Sequence, residues 1–188
     1  MTVRLGVPAE KVVAVDVLVA YASRLGSTRG IAARIAARLQ THGLEASARP
    51  IGSVGELAPY DAFVVGSAVY GGRWLKEASG FVRDHAATLA ARPVWLFSSG
   101  PVGREAVRAH PVVPAEVGGI EATTHARGHR TFAGALDRQT VDGADLGVAE
   151  RFIARRFVPE GDFRDWPEID GWADEIAHQL IASAAGRP

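Results

Sequence analysis

Ser23, Arg24, Leu25, Gly26, Ser27 and Thr28 are the residues of this chain best placed to do chemistry. An apolar run, Val15-Asp16-Val17-Leu18-Val19-Ala20-Tyr21, leads straight into them, and a helical pattern follows at once. The first turn of a helix presents unpaired backbone N–H groups and a partial positive charge, which together attract anions. Ser23, Ser27 and Thr28 add hydroxyl donors, and Gly26 lets the backbone approach a ligand closely. The loop has the composition of a cradle for one phosphate group. No Gly-Lys-Ser/Thr follows at the spacing of a nucleoside-triphosphate loop, and a single glycine in the turn does not match a dinucleotide fingerprint. The competing reading is a plain strand-to-helix turn capped by Ser or Thr.

Two more loops share this small, polar or aromatic character. Ala68-Val69-Tyr70-Gly71-Gly72-Arg73-Trp74 joins two glycines, which permit unusual backbone, to two aromatic rings able to stack on a flat ligand. Trp74 has a structural alternative, packing its helix onto the sheet, and Arg73 reads as a solvated charge. Ser98-Ser99-Gly100-Pro101-Val102-Gly103 offers hydroxyls and amides with little bulk, suited to the polar edge of a ring system. A tight Gly-Pro turn is compatible with that role.

The elements that must carry these loops alternate between strand-like and helix-like patterns, as in a doubly wound α/β sheet. Strands are expected at about Val13–Tyr21, Leu44–Ile51, Ala62–Ser67, Pro93–Ser98 and Thr131–Leu136. Helices are expected at about Ser27–Thr41, where Ile31, Ile35 and Leu39 recur every four residues, and at Leu75–Ala90, Pro114–Thr124, Gly147–Phe157 and Ile169–Ala184. Five strands with helical crossovers match the doubly wound order 2-1-3-4-5, which is the expectation here. Ligands in such sheets bind at the carboxyl ends of strands one, three and four, which are the three loops above. The domain is expected over residues 15–185, with residues 1–14 as an N-terminal extension.

Composition bounds the function. The chain has 188 residues, 47% hydrophobic and 22% charged, with formal net charge +0 and no cysteine. That length suffices for one domain with a substantial core. Absence of cysteine excludes disulfides, thiolate metal sites and cysteine nucleophiles. Zero net charge gives no general attraction to nucleic acid, and lacks the acidity that steers a small electron carrier to basic partners. No apolar run approaches the roughly 20 residues of a membrane span. The N-terminus lacks a secretory pattern, so the expectation is a cytoplasmic protein. His125 and His129 lie four apart with no completing carboxylate, and no metal is expected.

The start Ala22-Ser23-Arg24-Leu25-Gly26-Ser27-Thr28, the Gly66-Ser67 strand end before Tyr70, and Phe81-Val82-Arg83 resemble the flavodoxin-domain family. The nearer likeness is to its branch of menaquinone-dependent protoporphyrinogen oxidases, whose phosphate loop reads Ser-Thr-Arg-x-Gly-x-Thr. Arg24, Gly26 and Thr28 match that pattern, while Ser23 stands in place of a threonine. The likeness spans roughly Val15 to Leu180 and includes the closing Asp165-Trp166 region. It implies a flavodoxin-like three-layer sandwich with FMN as cofactor. Ser23, Arg24, Leu25, Gly26, Ser27 and Thr28 would then hold the phosphate. Ala68, Val69, Tyr70, Gly71 and Trp74 would line one side of the ring, and Ser98, Ser99, Gly100 and Gly103 the other. The flavin supplies the redox chemistry, so no catalytic side chain is expected. Implied partners are a quinone or redox protein, and an anionic, porphyrin-like substrate received by Arg104 and Arg108 in the segment Pro101–Arg130. That segment also contains Pro, Gly and Glu and lacks the dense Lys/Arg run of the oxidases. A solvated loop is its competing reading. Arg151, Arg155 and Arg156, beside Phe152, Ile153 and Phe157, form a basic amphipathic stretch, read either as a peripheral membrane contact or as a helix with one core face. The remaining alternatives are an electron carrier without its own substrate and a flavin-free interaction module.

Overall fold

The computed structural model describes residues 15–100, 113–143, 147–148, 151 and 159–186. Its spine is three strands whose side chains are almost wholly buried: β1 (Asp16–Ala22), β3 (Ala62–Tyr70) and β5 (Val94–Ser99). Continuous apolar runs such as Val17–Tyr21 and Phe63–Val65 are what a parallel strand covered on both faces requires. The edges are β2 (Glu45–Pro50) beside β1 and β6 (His129–Phe132) beside β5. All four pairings are parallel, and the five strands run β2-β1-β3-β5-β6. Setting aside β4 (Arg73–Trp74), a two-residue strand that folds back antiparallel on β3, this is the expected 2-1-3-4-5 order. The fold is flavodoxin-like.

Helices cover both faces. On one face lie α1 (Ser27–Thr41) and the closing helix α6 (Trp166–Ala185). Ile31, Ile35 and Leu39 from α1 and Ile169, Trp172 and Ile176 from α6 share a core with Val17, Val64, Trp95 and Phe97. Charge pairs tie these two helices along their outer rims. Arg34 bonds Asp170 through two contacts of 2.6 Å, and Arg38 bonds Asp174 at 2.6 and 2.9 Å, with His42 Nε2 also 2.7 Å from Asp174. Hydrogen bonds from Arg34, and from Arg38 and His42, hold Asp170 and Asp174 below the usual carboxylate range. These pairs are solvent-facing and orient the helices more than they stabilise them. The other face carries α2 (Lys76–Asp84), α3 (Ala86–Ala90) and α4 (Val117–Thr124), packed on Leu18, Phe63, Val65 and Leu96.

Several boundaries differ from expectation. The helix expected over Leu75–Ala90 is two helices, because His85 leaves helical geometry (φ −114°, ψ 16°) where its ring tilts onto Phe81. The fourth parallel strand runs one residue further, so Ser99 pairs with Phe132 inside the sheet. The last strand stops at Phe132 instead of reaching Leu136. Beyond it the chain leaves the sheet, and β7 (Ala135–Leu136) pairs antiparallel with β8 (Gly161–Asp162). Between them lies α5 (Arg138–Gly143), which the periodicity did not suggest. The closing helix begins at Trp166, three residues early, because Asp165 accepts from the Glu168 amide and Pro167 fits the first turn. The helix expected at Gly147–Phe157, its membrane-contact reading and the extension 1–14 lie outside the described residues, apart from isolated positions 147, 148 and 151. No helix among the described residues is long and apolar enough to cross a membrane.

Gly66 is the tightest point of this core. It sits beside Phe97 in register, and a Cβ there would overlap the Phe97 ring, which packs on Phe132 and Trp172 at centroid distances of 6.3 and 6.4 Å. Gly66→Ala is therefore expected to destabilise the fold by about 1–3 kcal/mol, the usual cost of overpacking. Chemical denaturation read by Trp fluorescence checks this, and an unchanged midpoint would contradict the packing described.

Candidate functional site

The carboxyl ends of β1, β3, β5 and β6 meet at one edge, and α1 starts there. Gly26 takes a left-handed conformation (φ 82°) that turns the chain from β1 into the helix. Ser23 Oγ accepts from the Gly26 amide at 3.1 Å, so this hydroxyl shapes the loop from within. Among the described residues, no side chain caps α1 and its first turn contains no acidic residue. Its positive end therefore lacks a protein counter-charge. Thr28 is fully buried, and its Oγ1 is among the buried side-chain atoms with no hydrogen-bond partner. A buried hydroxyl left unpaired costs about 1–3 kcal/mol, so a ligand that pairs it recovers that energy on binding. This is the observation that fits an anion to the loop.

The second loop is a hairpin. β3 runs to Tyr70, Gly71 and Gly72 both take positive φ (57° and 73°), and Arg73–Trp74 return along β3. Two residues at positive φ make the turn that matches strand twist, which is why two glycines stand there. Tyr70 reaches the first loop, with the Arg24 guanidinium 5.5 Å from its ring centroid. Val69 lies against Gly100, where a Cβ would come within 3.7 Å of the Val69 carbonyl oxygen. The third loop joins the first through Ser27 Oγ and Ser99 Oγ, 3.2 Å apart. The three loops thus converge at this edge, as far as they are described. Gly103, Arg104 and Arg108 lie outside the described residues.

The structure places Trp74, expected to line the ring, in the core. Its side chain is 4% exposed and packs with Leu75, Ala78 and Leu96. Its Nε1–H donates to Ser98 Oγ at 2.8 Å, and Ser98 is itself fully buried. Ser98 Oγ lies 2.8 Å from His129 Nε2. The arrangement that satisfies all three groups has Trp74 donating to Ser98 and Ser98 donating to a neutral His129. From outside the three loops, Glu116 Oε1 accepts the Trp74 amide at 2.7 Å, and Ser67 Oγ accepts the Leu75 amide at 3.0 Å. These supports, with Gly134 and Ala135 beside Ser27, went unseen in sequence. Only Gly134, a glycine within an apparent strand, carried a signal that the strand breaks there.

Beside the first loop opens a cleft of about 550 Å³, lined by Gly26, Ser27, Arg29 and Gly30 on one side and by Ala135–Asp137 and Glu160–Asp162 with Arg164 on the other. Its carboxylates are locally engaged. Asp162 binds Arg164 at 2.6 Å, Glu160 binds Arg138 at 3.2 Å, and Asp137 accepts from the Gln139 amide at 2.9 Å.

Two outcomes are expected from these contacts. Thr28→Val should raise the stability of the ligand-free protein by about 1 kcal/mol, by removing an unpaired buried hydroxyl, while weakening a phosphate-bearing ligand about tenfold. Paired melting and titration curves read both effects, and a loss of stability would mean the hydroxyl has a partner. Burial pushes His129 down to about 4 from an ordinary 6.5. The unfolded chain takes up that proton first, so this contribution is full above pH 6.5 and fades as pH falls toward 4. The stability advantage of wild type over His129→Gln should shrink across that window, and a constant difference would contradict the neutral, Ser98-bonded ring.

Comparison with known proteins agrees with this fold. The chain is 26% identical to protoporphyrinogen IX dehydrogenase [quinone] of Escherichia coli (strain K12) over 171 residues, which cover 86% of this chain and 94% of that protein. In structure it resembles a flavodoxin of Streptococcus pneumoniae, with TM-score 0.53 and 17% identity, over 89% of this chain and 99% of that one. It also resembles the rubredoxin oxygen:oxidoreductase of Desulfovibrio gigas, with TM-score 0.59 and 13% identity, over 91% of this chain but only 37% of that longer one. The family model for the flavodoxin domain matches residues 18–153, and the chain belongs to that family.

Proposed function

We propose that this protein binds FMN and acts as an oxidoreductase that takes electrons from a protoporphyrinogen-like substrate and passes them to a quinone. The buried, unpartnered Thr28 hydroxyl at the uncapped start of α1 carries the reading, because a phosphate monoester answers both deficits at once. Similarity over most of both chains to a quinone-linked protoporphyrinogen IX dehydrogenase supports the choice of reaction. Bound FMN would supply the electron-accepting ring. The chain's own residues bind and orient. Ser23, Arg24, Leu25, Gly26, Ser27 and Thr28 form the phosphate cradle. Ala68, Val69, Tyr70 and Gly71, with Gly100 and Gly103, border the ring, Trp74 and Ser98 hold those borders from behind, and Ser99 reaches the phosphate cradle through Ser27. Arg104 and Arg108 receive anionic groups of the substrate. On this reading the protein works in the cytoplasm and meets its quinone at a membrane periphery, through the basic stretch Arg151–Phe157.

Visible absorbance titration with FMN, followed by anaerobic assay with protoporphyrinogen and a menaquinone analogue, tests the proposal. The expected result is saturable binding with a perturbed flavin spectrum, and turnover that falls at least tenfold in an Arg104→Ala/Arg108→Ala double variant while FMN affinity is unchanged. Binding without turnover would assign an electron carrier instead. A protein that stays colourless would assign a flavin-free module.

A further inference from the structure

Ser27 joins three parts of the chain that are far apart in sequence. Its Oγ accepts the Ala135 amide proton at 2.9 Å and lies 3.2 Å from Ser99 Oγ, at the end of β5. Gly134 makes the approach possible. A Cβ there would come within 3.4 Å of Ser27 Oγ and 3.7 Å of Ser99 Oγ. Ser99 is only 5% exposed, so its hydroxyl is directed at Ser27 and not at bulk water. A serine hydroxyl has one proton and two lone pairs. With one lone pair taken by the Ala135 amide, a Ser99 that donates to the other leaves the Ser27 proton free to point outward.

We propose that Ser99 and the Ala135 amide are positioning groups for the phosphate cradle, acting through Ser27. They fix the Ser27 side chain, and with it the first amide of α1, in the orientation that donates to an anion. Ala135 opens β7, which pairs antiparallel with β8. The proposal rests on the reading of the first loop as the FMN phosphate site.

The test compares FMN with riboflavin, which has the same ring and ribityl chain but no phosphate. Ser99→Ala should weaken FMN about three- to tenfold. Riboflavin affinity should stay unchanged, and Ser99→Thr should restore the FMN preference. Circular dichroism establishes that each variant is folded. Equal loss for both flavins would overturn the proposal and give Ser99 a role at the ring. Unchanged FMN affinity in folded Ser99→Ala would overturn it as well. A wild type that binds FMN no better than riboflavin would defeat the phosphate-cradle reading itself.

Discussion

Backbone N–H groups at the start of a helix must find acceptors, and no side chain caps the start of α1. Ser23 bonds inward to Gly26, Ser27 is held by Ala135 and Ser99, and Thr28 is buried without a partner. Most helices resolve this with a capping Ser, Thr or Asp. Here Ser23 is engaged within the loop and Thr28 Oγ1 has no partner, so a start without a side-chain cap is kept at the meeting point of four strand ends. Retaining it lowers the stability of the ligand-free chain and favours binding of an anion. The remainder of the fold holds this arrangement in place. The apolar stripe of α1 fixes its axis on the sheet, and the Arg34–Asp170 and Arg38–Asp174 pairs fix its position against α6.

A second polar network does the same for the proposed ring side. Ser67, Ser98, His129 and Glu116 each bind the Trp74–Leu75 segment or one another, all just beneath the glycine turn. Hydrogen bonds among buried polar groups of this kind specify geometry, although Glu116 uses only Oε1 here and its Oε2 has no partner. They keep the hairpin Val69–Trp74 at a set height above the sheet, so Tyr70 faces the first loop while Trp74 is held in the core. Trp74 is bonded to Ser98 within the core, while Val69, Tyr70 and Gly100 stand at the border of the proposed ring site.

The sequence disclosed what local pattern encodes. Continuous apolar runs marked β1, β3 and β5, the four-residue recurrence of Ile31, Ile35 and Leu39 marked α1, and alternation of the two marked a doubly wound parallel sheet. The first loop stood out because hydroxyls and a glycine follow a buried strand directly. What stayed hidden depends on contacts between distant residues. Nothing near Ala135 indicates that its amide bonds Ser27, and nothing in Trp74 alone separates a stacking ring from an indole bonded to Ser98. The break at Gly134 was readable in principle, yet the neighbouring Phe132, Ala133 and Leu136 continue an apolar pattern. Asp165 and Glu168 likewise form a helix-start signal three residues before the apolar stripe that first suggested the helix.

The central claim is that one phosphate group completes the start of α1, and a crystal structure of the FMN complex addresses it directly. A phosphate oxygen should lie about 2.6–3.0 Å from Thr28 Oγ1 and within hydrogen-bond range of the first amides of α1. FMN bound with its phosphate elsewhere, or with Thr28 Oγ1 still unpaired, would contradict the claim.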